Sequence, residues 1–232
     1  MSDLQELKHR VLEANKRLKS EGLIISTWGN VSEYDEKNGL IAIKASGVPY
    51  DGMTEEHMAV VDLEGNVIGS NLRPSTDCAT HILLYKKFKG VKAIVHTHSM
   101  YATIWAQAGR DIPMLGTTHA DYFAGDVPCT RSMTKEEIEN DYEKNTGDVI
   151  AERFRDIDPM KIQAVLVHSH GTFVWGKDAH EAVTHGVILE YIAKMAWCNT
   201  VLAGGQAEPL DQNLLNKHYN RKFGPNAYYG QK

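Results

Sequence analysis

Two short histidine pairs are the first places where this sequence offers chemistry. His96 and His98 stand in Val95-His96-Thr97-His98-Ser99, and His168 and His170 repeat the spacing in Val167-His168-Ser169-His170-Gly171. Each pair closes an apolar run that reads as a strand, from Val91 to His98 and from Ile162 to His168. Successive strand side chains alternate between faces, so imidazoles two positions apart project the same way. Their neutral ring nitrogens are ligands for divalent transition metals, and three histidines with one open position is the pattern of catalytic zinc. His96 and His98 are therefore expected to be two ligands, with one histidine of the second pair as the third. A single histidine is ordinarily a core or surface residue; the repetition at two strand ends is the signal.

Small polar turns supply a second kind of chemistry. Gly29-Asn30, Ser46-Gly47 and Ser75-Thr76 each follow a strand or precede a helix, and Lys44 lies beside the second of them. Backbone N–H groups, hydroxyls and a helix N-terminus together suit a phosphate dianion. There is no GxxxxGK[ST] loop and no GxGxxG, so neither a nucleoside triphosphate nor a nicotinamide cofactor is indicated. Two carboxylates stand out. Asp77 falls at a helix start, where an aspartate is ordinarily an N-cap. Asp121 lies in the irregular stretch Gly116-Thr117-Thr118-His119-Ala120-Asp121-Tyr122, where solvation at the surface is its default.

The elements that must position these groups alternate between strands and helices. Leu4, Leu7, Val11 and Leu18 have helical spacing, with Gly22 placed as a C-terminal cap. Strands are expected over 23–26 and 40–45, and a hairpin over 58–68 around Glu64-Gly65. A helix opens at Ser75-Thr76-Asp77 and runs to Phe88, and another runs from Ser99 towards Ala108. Thr134 and Glu137 form a capping box before an acidic run, Lys135 to Glu143, read as a solvated helix face. A short strand over 172–175, a long helix from Asp178 through Trp197 and a last helix over 210–222 complete the chain. This order predicts an α/β fold, a single-domain central β-sheet over residues 1–232 with helices on both faces.

Bulk composition narrows the partners. The 232 residues carry 25 Lys and Arg against 30 Asp and Glu, a net charge of -5 that argues against a broad nucleic-acid surface. No apolar run approaches the ~20 residues needed to span a bilayer, and the polar N-terminus lacks a secretory apolar stretch. Cys78, Cys129 and Cys198 are scattered without CxxC spacing, as expected of free thiols in a reducing, cytoplasmic setting.

Taken together, TWGNVS (27–32), IKASGVPY (43–50), RPSTDCATH (73–81), VHTHS (95–99), GTTHADYF (116–123), VHSHG (167–171), NKHYNRK (216–222) and NAYYGQK (226–232) resemble the class II aldolase/adducin family, in its sugar-phosphate epimerase branch. The resemblance runs nearly end to end. It implies a zinc site at His96, His98 and His170, with Asp77 on or close to the metal and His168 the non-ligand of its pair. Mn2+ or Co2+ would be possible substitutes. It implies substrate contacts at Gly29, Asn30, Lys44, Ser46, Gly47, Ser75 and Thr76, and an acid/base pair of Asp121 and Tyr229, with Tyr229 reaching in from a neighbouring subunit of a homotetramer. Glu143 and His218 match positions near the site. The implied activity is the interconversion of L-ribulose 5-phosphate and D-xylulose 5-phosphate by C3–C4 cleavage and re-addition, a step shared by arabinose and ascorbate breakdown.

The chemistry explains the residue types. With the ketone at C2, the C4 hydrogen is β to it and not acidic, so direct deprotonation is a poor route. Retro-aldol cleavage leaves an enediolate, whose charge a divalent cation stabilises, and an aldehyde that can turn over before recombination. The rival expectations are a class II sugar-phosphate aldolase of the L-fuculose-1-phosphate type, a non-catalytic adducin-like module, and a metallohydrolase. Asp77, where such aldolases tend to carry Glu, and the C-terminal YYGQK favour the epimerase. The retained histidines argue against a scaffold, and the absence of HExxH argues against a metallohydrolase.

Overall fold

Polar residues form the strand at the heart of this structure. In the computed structural model, which describes residues 3–230, β1 spans Asn30–Asp35 and reads Asn-Val-Ser-Glu-Tyr-Asp. Its first four residues are nonetheless buried. Each polar side chain has a partner. The Asn30 amide donates to Ser75 Oγ and Asp77 Oδ2, Ser32 Oγ lies 2.7 Å from both His81 Nδ1 and Tyr85 Oη, and Glu33 accepts from Arg10 and from the Ala179 N–H. Buried polar groups are tolerated when so paired.

The other strands are β2 (Leu40–Lys44), β3 (Met58–Asp62), β4 (Ala93–Thr97), β5 (Ala164–Leu166) and β6 (Thr172–Gly176). They form one six-stranded sheet in the order β3-β2-β1-β4-β6-β5, with every pair antiparallel. The helices are α1 (Asp3–Ser20), α2 (Cys78–Lys87), α3 (Met100–Gln107), α4 (Thr117–Ala120), α5 (Lys135–Glu139), α6 (Tyr142–Arg153), α7 (Ala179–Leu202) and α8 (Gln212–Phe223). Strand alternation sorts the core into two layers. Val31, Val95, Val174 and Leu166 pack with residues of α1, α3 and α7 on one face. Ile41, Ile43, Ile94 and Trp175 pack with residues of α2 and α6 on the other. The expected α/β sheet with helices on both faces is what the chain forms.

Several local expectations are corrected. Residues 23–26 are not a strand: Leu23 is buried in the core, Ile25 is exposed and Ser26 adopts φ 58, which breaks an extended path. The hairpin after β3 shrinks to a single bridge between Val61 and Val67. The capping box at Thr134 is present, but its helix stops at Glu139, and Asp141 at φ 48 separates it from α6. Helices α4 and α6 were not evident from spacing; the long helix expected from Asp178 through Trp197 is α7, which Asp178 caps by accepting from the Glu181 N–H and which runs on to Leu202. Gln231 and Lys232 of the tail motif lie outside the described residues. Among the described residues no helix is long and apolar enough to cross a membrane.

Candidate metal centre and phosphate cleft

The antiparallel register brings three chain segments to one end of the sheet. Asn30 at the start of β1 lies opposite His96 near the end of β4, and Thr172 at the start of β6 lies opposite Thr97. Residue 45, just past the end of β2, is bridged to Pro74, and the Ser75 N–H donates to the Lys44 carbonyl. The turns before β1, after β2 and before α2 thus meet beside the histidines. Together they line a cleft of about 400 Å3.

His96 is the most firmly held group in it. It is 2% exposed, its ring stacks on Phe173 at 4.4 Å, and its Nδ1 lies 2.9 Å from the Thr172 carbonyl. A carbonyl only accepts, so Nδ1 carries the proton and Nε2 presents its lone pair. That Nε2 is 3.1 Å from His98 Nε2. With His170, one ring nitrogen from each residue falls within 4.8 Å of the other two. Burial, reinforced by the neighbouring rings, pushes His98 and His170 down to about 4, so both are neutral near pH 7. Three convergent imidazoles fit a divalent transition metal. The Asn30 Oδ1 beside them is buried without a protein donor.

Asp77 does not cap its helix. It occupies the position before α2, but its carboxylate makes no cap hydrogen bond and turns instead to Asn30, 2.8 Å, and Ser75, 3.2 Å. Its Oδ2 is 4.0 Å from His96 Nε2. Burial works to raise this carboxyl, but the surrounding histidines and the Asn30 amide outweigh it and hold it below the ordinary value. Asp77 therefore stands as an anion at the edge of the cluster.

Gly29, Asn30, Lys44, Ser46, Gly47, Ser75 and Thr76 all line the same cleft. Lys44 is 2% exposed; among the described residues its ammonium donates only to the Ala45 carbonyl at 3.4 Å, and it sits 5.1 Å over the Tyr50 ring. Burial lowers its pKa. A buried ammonium with so few partners favours an anion beside it. Gly29 has φ 93, and a Cβ there would lie 2.7 Å from the His96 carbonyl oxygen and 2.8 Å from Ile24 Cδ1. Gly29→Ala is accordingly expected to cost at least about 2 kcal/mol of stability, from strained backbone and a backbone clash together. Urea unfolding checks this, and a variant as stable as the parent would contradict the packing described.

Asp121 and Tyr229 are not in this cleft. Asp121 follows α4 and is half-buried, not solvated as its stretch suggested: Arg221 grips it with Nη2 at 2.9 and 2.7 Å, and His218 Nδ1 lies at 3.0 Å. Burial works to raise its carboxyl, but Arg221, His218 and Lys222 hold it below the ordinary value. Tyr229, 60% exposed, lies 4.9 Å over the same Arg221, and its N–H donates to the Arg221 carbonyl. Both groups therefore belong to one block built on α8. Of the two uncertain positions, Glu143 lines the cleft and His218 joins the Asp121 block. Sequence reading missed three cleft residues, Thr27, Trp28 and Tyr142. Trp28 is exposed with its ring 6.0 Å from that of His98, and Tyr142 has its hydroxyl 3.5 Å from His170 Nδ1. Trp28 adjoins Gly29, which was the available signal; Tyr142 was hidden in the acidic run.

The profile of the family described as Class II Aldolase and Adducin N-terminal domain matches residues 9–197, and the chain belongs to this family. Among curated relatives, L-ribulose-5-phosphate 4-epimerase UlaF of Salmonella paratyphi A is 51% identical over 229 residues, covering 99% of this chain and 100% of its own. The protein of the same name from Salmonella paratyphi C is 51% identical over 232 residues, with the same coverage. Among solved structures, an L-fuculose 1-phosphate aldolase superposes with a TM-score of 0.77 at 24% identity, over 93% of this chain and 95% of that one. This last likeness shows the fold.

Proposed function

We propose that this chain is an isomerase that interconverts L-ribulose 5-phosphate and D-xylulose 5-phosphate. The observation that carries the reading is one cleft holding three convergent imidazoles beside an underpartnered buried lysine and three small polar turns. Near-full-length identity to two relatives named for this epimerisation supplies the substrate. Zn2+ is the proposed metal, held by His96, His98 and His170 with Asp77 at the edge, and Mn2+ or Co2+ can stand in for it. When bound, it supplies Lewis-acid stabilisation of the negative charge that develops on the C1–C3 fragment.

The chain's own residues do the rest. Lys44 and the turns at Gly29-Asn30, Ser46-Gly47 and Ser75-Thr76 hold the phosphate, keeping the glycolaldehyde phosphate fragment tethered while its aldehyde face turns over. Recombination is then effectively intramolecular. A proton must leave or reach the C4 oxygen on either face, and Asp121 and Tyr229 are the proposed carriers. Because the block that bears both lies outside the cleft, the proposed enzyme is a homotetramer in which a neighbouring subunit's block closes each cleft. This differs from the expectation that Tyr229 alone crosses over: its shared contact with Arg221 favours joint entry with Asp121. The free, scattered cysteines suit a cytoplasmic location.

An assay of the purified protein with L-ribulose 5-phosphate in deuterated water tests the route. D-Xylulose 5-phosphate should form with no deuterium at C4, since that hydrogen never leaves carbon. Deuterium at C4 would sink the cleavage mechanism, and steady release of two fragments without epimer would favour an aldolase.

A further inference from the structure

His96 lies in a strand, but His170 does not: it sits in the turn 167–171 between β5 and β6. The turn is closed by the His170 N–H donating to the Val167 carbonyl at 3.0 Å and the Val167 N–H donating to the Gly171 carbonyl at 2.9 Å. Its middle residue, Ser169, adopts φ 62, a left-handed conformation that a residue with a Cβ keeps only when its surroundings enforce it. Those surroundings are specific. The Ser169 N–H donates to the Ala106 carbonyl near the end of α3, and the His168 N–H donates to Thr130 Oγ1. The Gly109 N–H donates to the same Ala106 carbonyl.

The His168 ring completes the arrangement. It is seated on Gly109, where a Cβ would lie 2.6 Å from its Cδ2 and from its Nε2. Its Nδ1 is 2.9 Å from Ser169 Oγ and 3.2 Å from Ser132 Oγ. Its Nε2 lies 3.5 Å from the same Ser132 Oγ, and the converging cluster is formed by His96, His98 and His170 without it. We propose that His168 is a positioning residue for the metal centre, its imidazole wedging the strained turn against Gly109 so that His170 is held on the ion. The inference rests on the metal reading above.

The test is metal affinity, measured on the full chain stripped by a chelator and titrated with Zn2+ against a chromophoric competitor, with folding followed by circular dichroism. His168→Gln removes the ring and keeps a polar side chain; Gly109→Ala displaces the ring without altering residue 168. Each is expected to weaken Zn2+ binding by about 10- to 100-fold, the usual effect of losing an outer partner of a metal ligand. The double variant should be little worse than the weaker single one, since both act through one contact. Wild-type affinity in folded His168→Gln, or losses that simply multiply in the double variant, would overturn the proposal. If Gly109→Ala does not fold, His168→Gln decides alone. Wild-type chain that binds no Zn2+ would instead overturn the metal reading, and this inference with it.

Discussion

Replacing His96 with Asn is expected to reduce epimerisation to the level of metal-stripped protein while leaving the chain folded. His96 is the most constrained of the three proposed ligands, with its Nδ1 committed to the Thr172 carbonyl and its Nε2 turned to His98. Asn is too short to return a donor atom to that point, and two nitrogens plus a carboxylate at the edge make a much weaker site. The cost to folding is modest. Losing the stack on Phe173 opens a small gap worth about 1–3 kcal/mol, within what a domain of this size tolerates. Chelation of the parent protein should give the same loss, and added Zn2+ should restore the parent but not the variant. Bound metal by atomic absorption and turnover of L-ribulose 5-phosphate are the two measurements. Full turnover in metal-free parent protein would remove the basis of the proposed function.

The second large effect is expected from Asp121→Asn, a loss of roughly 10²- to 10⁴-fold in kcat, the range of general acid–base catalysis, with metal binding intact. The structure sharpens this into a mixing experiment. Asp121 and Tyr229 share Arg221, so on the proposed reading one chain presents both or neither to a neighbouring cleft. Co-assembling His96→Asn with Asp121→Asn chains should therefore recover activity: about one quarter of the sites in a random equal mixture pair an intact cleft with an intact block. Co-assembling Tyr229→Phe with Asp121→Asn should recover none, since every block then carries a defect. Recovery in the second mixture and not the first would show that the two groups enter separate sites.

What the sequence disclosed, and what it did not, follows from the physics of each element. The first histidine pair was legible because strand alternation is a rigid rule: knowing that β4 ends at this point places His96 and His98 on one face, whereas the expected strand over 162–168 shortens to Ala164–Leu166 and leaves His168 and His170 in a turn, where that rule does not apply. The three small polar turns were legible because such residues stand out beside strand ends, and the fold brings them into one cleft. β1 was not, since Asn, Ser and Glu carry no strand signal; they are buried only because Ser75, His81 and Arg10, far off in sequence, satisfy them. Helix α6 was masked for the opposite reason, its weak pattern being rescued by packing against α2 in the second core layer. Asp77 read as a cap because it stands where caps stand, and only the fold shows Asn30 drawing its carboxylate the other way. The separation of Asp121 from the histidines was beyond any spacing argument, because it depends on where α8 lands.

The contact between Gly29 and the His96 backbone has a consequence for substrate choice. The turn at Gly29-Asn30 and the backbone of His96 touch with no room for even one added carbon, and their strands are fixed to each other by the ladder that pairs Asn30 with His96. The two ends of the cleft therefore cannot slide apart or together. On the proposed reading, the cleft behaves as a ruler: it measures the number of carbons between the phosphate and the oxygens that meet the cation. A ketose phosphate one carbon longer or shorter can satisfy one end only, so chain length is read by backbone geometry, with no side chain assigned to the task.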